Sequence, residues 1–323
     1  MKRIAILFAL TFLLASLASA QTPQTEKEQK PNTDPNAAQI VTSDIDLFWK
    51  AYDKATPAND LIVYRDEYLK KGSAGLEEFR RTRIGSSCGL VDAIDNHPKY
   101  YAGLRPGSLK VASYKPQMQK SFRKLKEIYP DSIFPDVYFL IGRMNSAGTL
   151  TGKGLLIGVD MFGKTADFPV EEMDPWHKAV ISSIDRLPYI VAHELIHYQQ
   201  KYAFGDRTLL GMAIKEGSAD FVGELISGGQ INPHLHEYGN PRERELWNEF
   251  KKEMNGTNAG NWLYQGDQAK DKPADLGYYI GYKIAESYYK NAKDKKGAVK
   301  EILETKDFGR FLTDSRYEEK FEK

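Results

Sequence analysis

Cysteine is almost missing: Cys88 is the only one in 323 residues. A lone thiol cannot close an internal disulfide, so an apolar core must hold the chain, and about 280 residues are enough to build one. Cys88 sits in Gly85-Ser86-Ser87-Cys88-Gly89-Leu90 with no neighbouring base, which predicts a small buried side chain rather than a nucleophile. An excess of charge is missing too, with 45 Lys and Arg against 44 Asp and Glu. With no basic surplus and no basic stripe, nucleic-acid binding is not expected. Long apolar runs are confined to Ile4–Leu17, too short for a comfortable membrane span.

That run follows Met1-Lys2-Arg3 and precedes Ala18-Ser19-Ala20, small residues of the kind a signal peptidase accepts. Residues 1–20 are therefore expected to be a cleaved export signal, leaving a net charge of −1 and no stable membrane insertion. No cysteine stands directly after the run, so no lipid anchor is expected, and the mature protein should be periplasmic or secreted. Residues 21–40, rich in Gln, Thr, Pro and Asn, predict a disordered linker, and residues 41–323 a single domain.

Histidine is scarce, which draws attention to Val191-Ala192-His193-Glu194-Leu195-Ile196-His197. On a helix, His193 and His197 stand one turn apart and can converge on one metal ion, zinc above all. Glu194 lies displaced around the helix, where its carboxylate can act as general base on a water. A third ligand is needed. Gln200 and Ala203 occupy the offsets of the extended glycine-histidine form, which excludes that branch. Glu216, nineteen residues after His197 in Lys215-Glu216-Gly217-Ser218-Ala219-Asp220, can return on an antiparallel helix as the third ligand. Asp220, one turn later, can accept a hydrogen bond from the far nitrogen of a ligand histidine, His193 being the candidate. Glu224 is a more distant rival.

His193-Glu194-x-x-His197 followed by Glu216-x-x-x-Asp220 resembles the thermolysin-like zinc peptidases called gluzincins. Tyr138-Phe139-Leu140-Ile141-Gly142, Gly154-Leu155-Leu156-Ile157-Gly158, Asn261-Trp262-Leu263-Tyr264 and Gly277-Tyr278-Tyr279-Ile280-Gly281-Tyr282 are similar to a bacterial family of predicted zinc-dependent proteases, itself similar in places to the gliding-motility lipoproteins of Bacteroidetes. The likeness runs from about Ser43 to the C-terminus. It implies an α+β fold, predominantly helical, with a small sheet beside a zincin-like active-site helix, and a peptide or protein substrate. It also implies an edge strand beside the cleft, for which Gly154–Asp160 is the candidate, although an ordinary hairpin reads equally well. A downstream phenol would face the oxyanion, with Tyr278 and Tyr282 as candidates against plain packing. Kinship to motility lipoproteins keeps a second reading open, a non-catalytic metal-binding envelope protein.

Elsewhere, Thr42-Ser43-Asp44 predicts a cap for a helix bearing Ile45, Phe48 and Tyr52, and helical patterns dominate as far as Pro130. Val137–Ile141 and Leu155–Val159 predict two strands joined by a Gly-, Thr- and Ser-rich loop. Leu209–Ile226 predicts one helix ended by Gly228-Gly229, and Gly277, Gly281 and Ala285 a stripe that lets another helix pack closely. His234 and His236 are expected to be exposed, while Trp262 and Tyr264 are expected to anchor the core.

Overall fold

Apolar spacing buries Ile45, Phe48 and Trp49 along α1 (Ser43–Lys54) in the computed structural model, which describes residues 30–202 and 207–322. The expected caps take other parts. Thr42 makes no capping hydrogen bond, and Asp44 is fully buried, accepting from the N–H (2.9 Å) and hydroxyl (2.6 Å) of Ser73. After α2 (Asp60–Val63) the chain widens into a π-helical turn, Tyr64–Leu69, and Ser73 then caps α3 (Ala74–Phe79). The helices α4 (Ser87–Asn96), α5 (Pro98–Lys110) and α6 (Lys115–Ile128) complete this half. Cys88 lies in the first turn of α4 and is exposed, contrary to expectation: the apolar side of that helix runs through Leu90, Val91 and Ile94.

Four short strands form one mixed sheet. They are β1 (Ile40–Val41), β2 (Val137–Leu140), β3 (Gly148–Thr151) and β4 (Gly154–Gly158), in the spatial order β1-β2-β4-β3. β2 and β4 pair in parallel and are fully buried, which explains their unbroken apolar runs. β3 pairs antiparallel with β4 and lies inside the expected loop. It is the β3 side, not Gly154–Asp160, that forms the edge: β4 has a neighbour on each side. Three partly exposed positions in β3 and its Gly and Thr content gave it the composition of a loop.

The export signal lies outside the described residues, as does the start of the expected linker. The rest of that linker is ordered. Asn32 O accepts from Phe134 N (2.8 Å), Ala38 is buried, and Gln39 exchanges hydrogen bonds with Asp136 and Val137 before β1 begins. Backbone pairing to a sheet needs no apolar side chains, so composition alone missed it.

Phenols from the helical half clamp the far end of the sheet. Tyr68 donates to Ile141 O (2.7 Å), Tyr101 to Gly142 O (2.7 Å) and Tyr100 to Asp160 O (2.7 Å). The fully buried Asp160 carboxylate accepts from Gly142 N (2.7 Å) and Met144 N (2.6 Å), and burial pushes its pKa up to about 6 despite those bonds.

The second half supplies α7 (Pro175–Val180), α8 (Leu187–Gln199), α9 (Leu209–Ser227), α10 (Pro233–Gly239), α11 (Glu243–Glu253), α12 (Leu276–Asn291), α13 (Lys295–Glu304) and α14 (Phe308–Ser315). Pro188 stands in the first turn of α8, and Gly228, left-handed at φ +79°, ends α9. α9 packs against α8 on one side and α12 on the other. Gly217 and Gly281 bring α9 and α12 into backbone contact, and a Cβ on Gly281 would collide with the carbonyl of Ala213. The whole is an α+β fold, predominantly helical, as expected.

Two outcomes test this packing. Gly281→Ala should destabilise the protein by about 2 kcal/mol or more, read from urea midpoints, because helix backbones must move apart; an unchanged midpoint would contradict the contact. Asp160 binds a proton more readily folded than unfolded, so its contribution makes the fold less stable as pH rises from its ordinary 3.8 to about 6, with the full penalty above. The stability difference between wild type and Asp160→Asn should therefore move against wild type across that window and be level at neutral pH.

Candidate metal centre

α8 is apolar around most of its circumference and therefore central, which carries its two histidines inward: His193 is buried and His197 half-buried. α9 runs beside it and delivers Glu216, also buried. Nε2 of His193 and Nε2 of His197 are 2.9 Å apart, and Glu216 Oε2 lies 3.1 Å from the second and 3.7 Å from the first. Among the described residues, His193, His197 and Glu216 form the group able to share a metal ion.

The outer hydrogen bonds determine what faces inward. Nδ1 of His193 donates to Asp220 Oδ1 (2.7 Å), whose other oxygen accepts from Asn232 Nδ2 (2.9 Å). Gln200 Nε2 donates to Lys215 O (2.7 Å) and Ser218 Oγ (3.1 Å), so its Oε1 is free to accept from His197 Nδ1 (2.8 Å). With both Nδ1 atoms donating outward, the neutral rings turn both Nε2 lone pairs on the same point as the Glu216 carboxylate. Three acceptors then converge with no donor among them. Tetrahedral ligands ~2 Å from a zinc ion stand ~3.3 Å apart, and the observed separations bracket that spacing. The residues present fit a divalent cation.

Without one, protons balance the site. Burial opposes charge on His193, but the hydrogen bond and charge of Asp220, with Glu194 and Glu216, outweigh it and raise its pKa to about 9. Burial likewise opposes the Glu216 carboxylate, yet hydrogen bonding and charge from His197, with His193, hold its pKa down to about 2. A cation would displace the imidazole protons and take over their role.

Glu194 is half-buried and makes no hydrogen bond or ion pair among the described residues. Its carboxylate rests on β3, where a Cβ on Gly148 would come within 2.6 Å of Oε1. The edge strand thus borders the candidate base.

The two expected tyrosines separate. Tyr278 lies over His193, ring centroids 6.3 Å apart and planes 24° apart. Tyr282 is elsewhere: its hydroxyl donates to Glu224 Oε2 (2.7 Å) and its ring packs on His236 and Phe221, which accounts for Glu224, the rival ligand, as well. His236 is buried there rather than exposed, His234 is exposed, and neither joins the trio. Trp262 is fully buried as expected, whereas Tyr264 is 62% exposed and donates to Glu216 Oε1 (3.0 Å). Its backbone is left-handed, φ +60°, a costly conformation for tyrosine. Reciprocal bonds between Gln265 and Asp275 (both 2.9 Å) hold the loop in that shape. Sequence reasoning missed Tyr264, Gln200 and Asn232. For Gln200 a signal existed, its position three residues past His197; for the other two there was none.

Fold and site together define a helical α+β protein with a buried His-His-Glu cluster at its centre. The chain belongs to the family of the gliding motility protein GldB, whose profile matches residues 108–319, from the end of α5 through α14. Searches of curated proteins and of solved structures find no match. That lipoprotein family places the chain at the cell envelope, and no helix among the described residues is long and apolar enough to cross a membrane.

Protein loaded with zinc should carry about one ion per chain by elemental analysis. His193→Ala and Glu216→Ala should lose it, while Asp220→Ala should keep it with roughly 10- to 100-fold weaker affinity. Full zinc retention by His193→Ala would overturn the ligand set.

Proposed function

We propose that the protein is a zinc-dependent metallopeptidase of gluzincin type, acting on peptides or proteins in the periplasm or outside the cell. The observation that carries this reading is the free Glu194 carboxylate beside three converged acceptors. A purely structural site has no need of such a base. His193, His197 and Glu216 would hold the ion. When bound, zinc supplies Lewis acidity, polarising a carbonyl and bringing the pKa of water towards ~7.

The chain's own residues do the rest. Glu194 takes a proton from the attacking water as the new carbon–oxygen bond forms, and gives it to the departing amine nitrogen as the carbon–nitrogen bond breaks. Asp220 and Gln200 keep the imidazoles oriented with Nδ1 protonated. Tyr264 holds the second oxygen of Glu216, and its ring is exposed. Tyr278, over the face of His193, shields that ligand from water.

Membership of a gliding-motility family favours a second reading, a non-catalytic metal-binding envelope component that works by contact. One experiment separates them. Zinc-loaded wild type should cleave members of a model peptide library, and Glu194→Gln should lower turnover by about 10²-fold or more while keeping its zinc. Unchanged turnover would remove Glu194 from the mechanism, and no cleavage by metal-loaded wild type would leave the second reading standing.

A further inference from the structure

Away from the metal centre, the end of α1, the π-helical turn and α4 enclose a solvent-open cavity of about 220 Å³. It is built from residues 52–95, ahead of the stretch that the family profile matches. Its walls combine three kinds of surface: apolar Val91 and Ile94, the rings of Tyr52 and Tyr64, and the carboxylates of Asp60 and Asp95. No Lys or Arg lines it, and neither carboxylate has an ion-pair partner among the described residues. Just outside, the same combination already holds a cation. Arg105 pairs with Asp53 while its guanidinium lies 4.5 Å over the ring of Trp49 and 5.8 Å over that of Tyr52.

Tyr64 supplies an independent observation. It is only 3% exposed, yet its hydroxyl, unlike those of Tyr68, Tyr100 and Tyr101, has no hydrogen-bond partner among the described residues. That hydroxyl is not sealed from solvent, and Tyr64 lines the cavity, so its oxygen is free to meet a ligand there. It also opens the π-helical turn, an irregularity that recurs at functional sites.

We propose that this cavity binds a small organic cation, a primary ammonium on a short aliphatic stem, as found in a free alkylamine or a lysine side chain. The stem packs on Val91 and Ile94. The three N–H donors of the ammonium match three acceptors: the Asp95 carboxylate, the Asp60 carboxylate, one oxygen of which already accepts from Leu61 N, and the Tyr64 hydroxyl oxygen. The two tyrosine rings flank the charge. A bare or hydrated metal ion would leave the apolar wall unused.

Calorimetric titration of the full chain with n-butylammonium, with Nα-acetyl-lysine methylamide and with n-butanol tests this. Saturable binding of the cation is expected, in the millimolar range or tighter, with none for the neutral alcohol. Asp60→Asn/Asp95→Asn should weaken it at least tenfold and Tyr64→Phe severalfold, with melting temperatures close to wild type. Binding of both amines identifies a lysine side chain as the natural occupant, and binding of n-butylammonium alone a free amine. Absence of saturable binding by either amine, equal binding of n-butanol, or an unweakened double variant would overturn the proposal. Should Tyr64→Phe fail to fold, Asp95→Asn alone, at an exposed position, decides it.

Discussion

Helix α9 has to lie within side-chain reach of α8 along one face and within backbone contact of α12 along another. Successive residues point about 100° apart on a helix, so Glu216 can turn to the histidines of α8 while Gly217 turns to α12. The absence of a side chain at Gly217 and Gly281 lets those two backbones touch. A carboxylate is short and cannot compensate for a helix displaced by even an ångström or two. The position of Glu216, and with it the whole cluster, depends on that close approach.

Once assembled, the cluster is electrostatically one-sided. Asp220 and Gln200 take up the outer imidazole protons, so only acceptors face the centre, and His193 and Glu216 are themselves buried there. Such an arrangement persists only if something positive sits in it, protons or a metal ion. The sheet contributes at one point, where β3 lays a glycine against Glu194. The tyrosine clamps on residues 141–142 and 160 fix the sheet, and so that glycine, relative to the helical half.

Membership of a gliding-motility family and the hydrolytic reading proposed for the His-His-Glu cluster point to different kinds of work. A domain used only for contact has little reason to keep a carboxylate with no partner among the described residues half-buried beside such a cluster, since the desolvation is avoidable. The cation cavity lies outside the family match and uses other residues, so the two sites stand or fall separately.

Much of the site is legible in the amino-acid order. Spacing of four residues along a helix is a local property, so it pairs His193 with His197 and Glu216 with Asp220, and it marks the helices that carry them and the small-residue stripe of α12. The departures from expectation share a cause. Tyr282 is one turn from the right place but turns to Glu224; Tyr264, whose apolar neighbours suggest a core residue, reaches Glu216 through a left-handed backbone that no periodicity predicts. β3, the ordered part of the linker and the exposure of Cys88 depend on which backbone edges and surfaces neighbours leave open. Sequence alone determined what lies along one helix, because there the geometry repeats every 3.6 residues. Tertiary structure decided which side chains meet across elements, because those distances depend on packing between segments far apart in the chain.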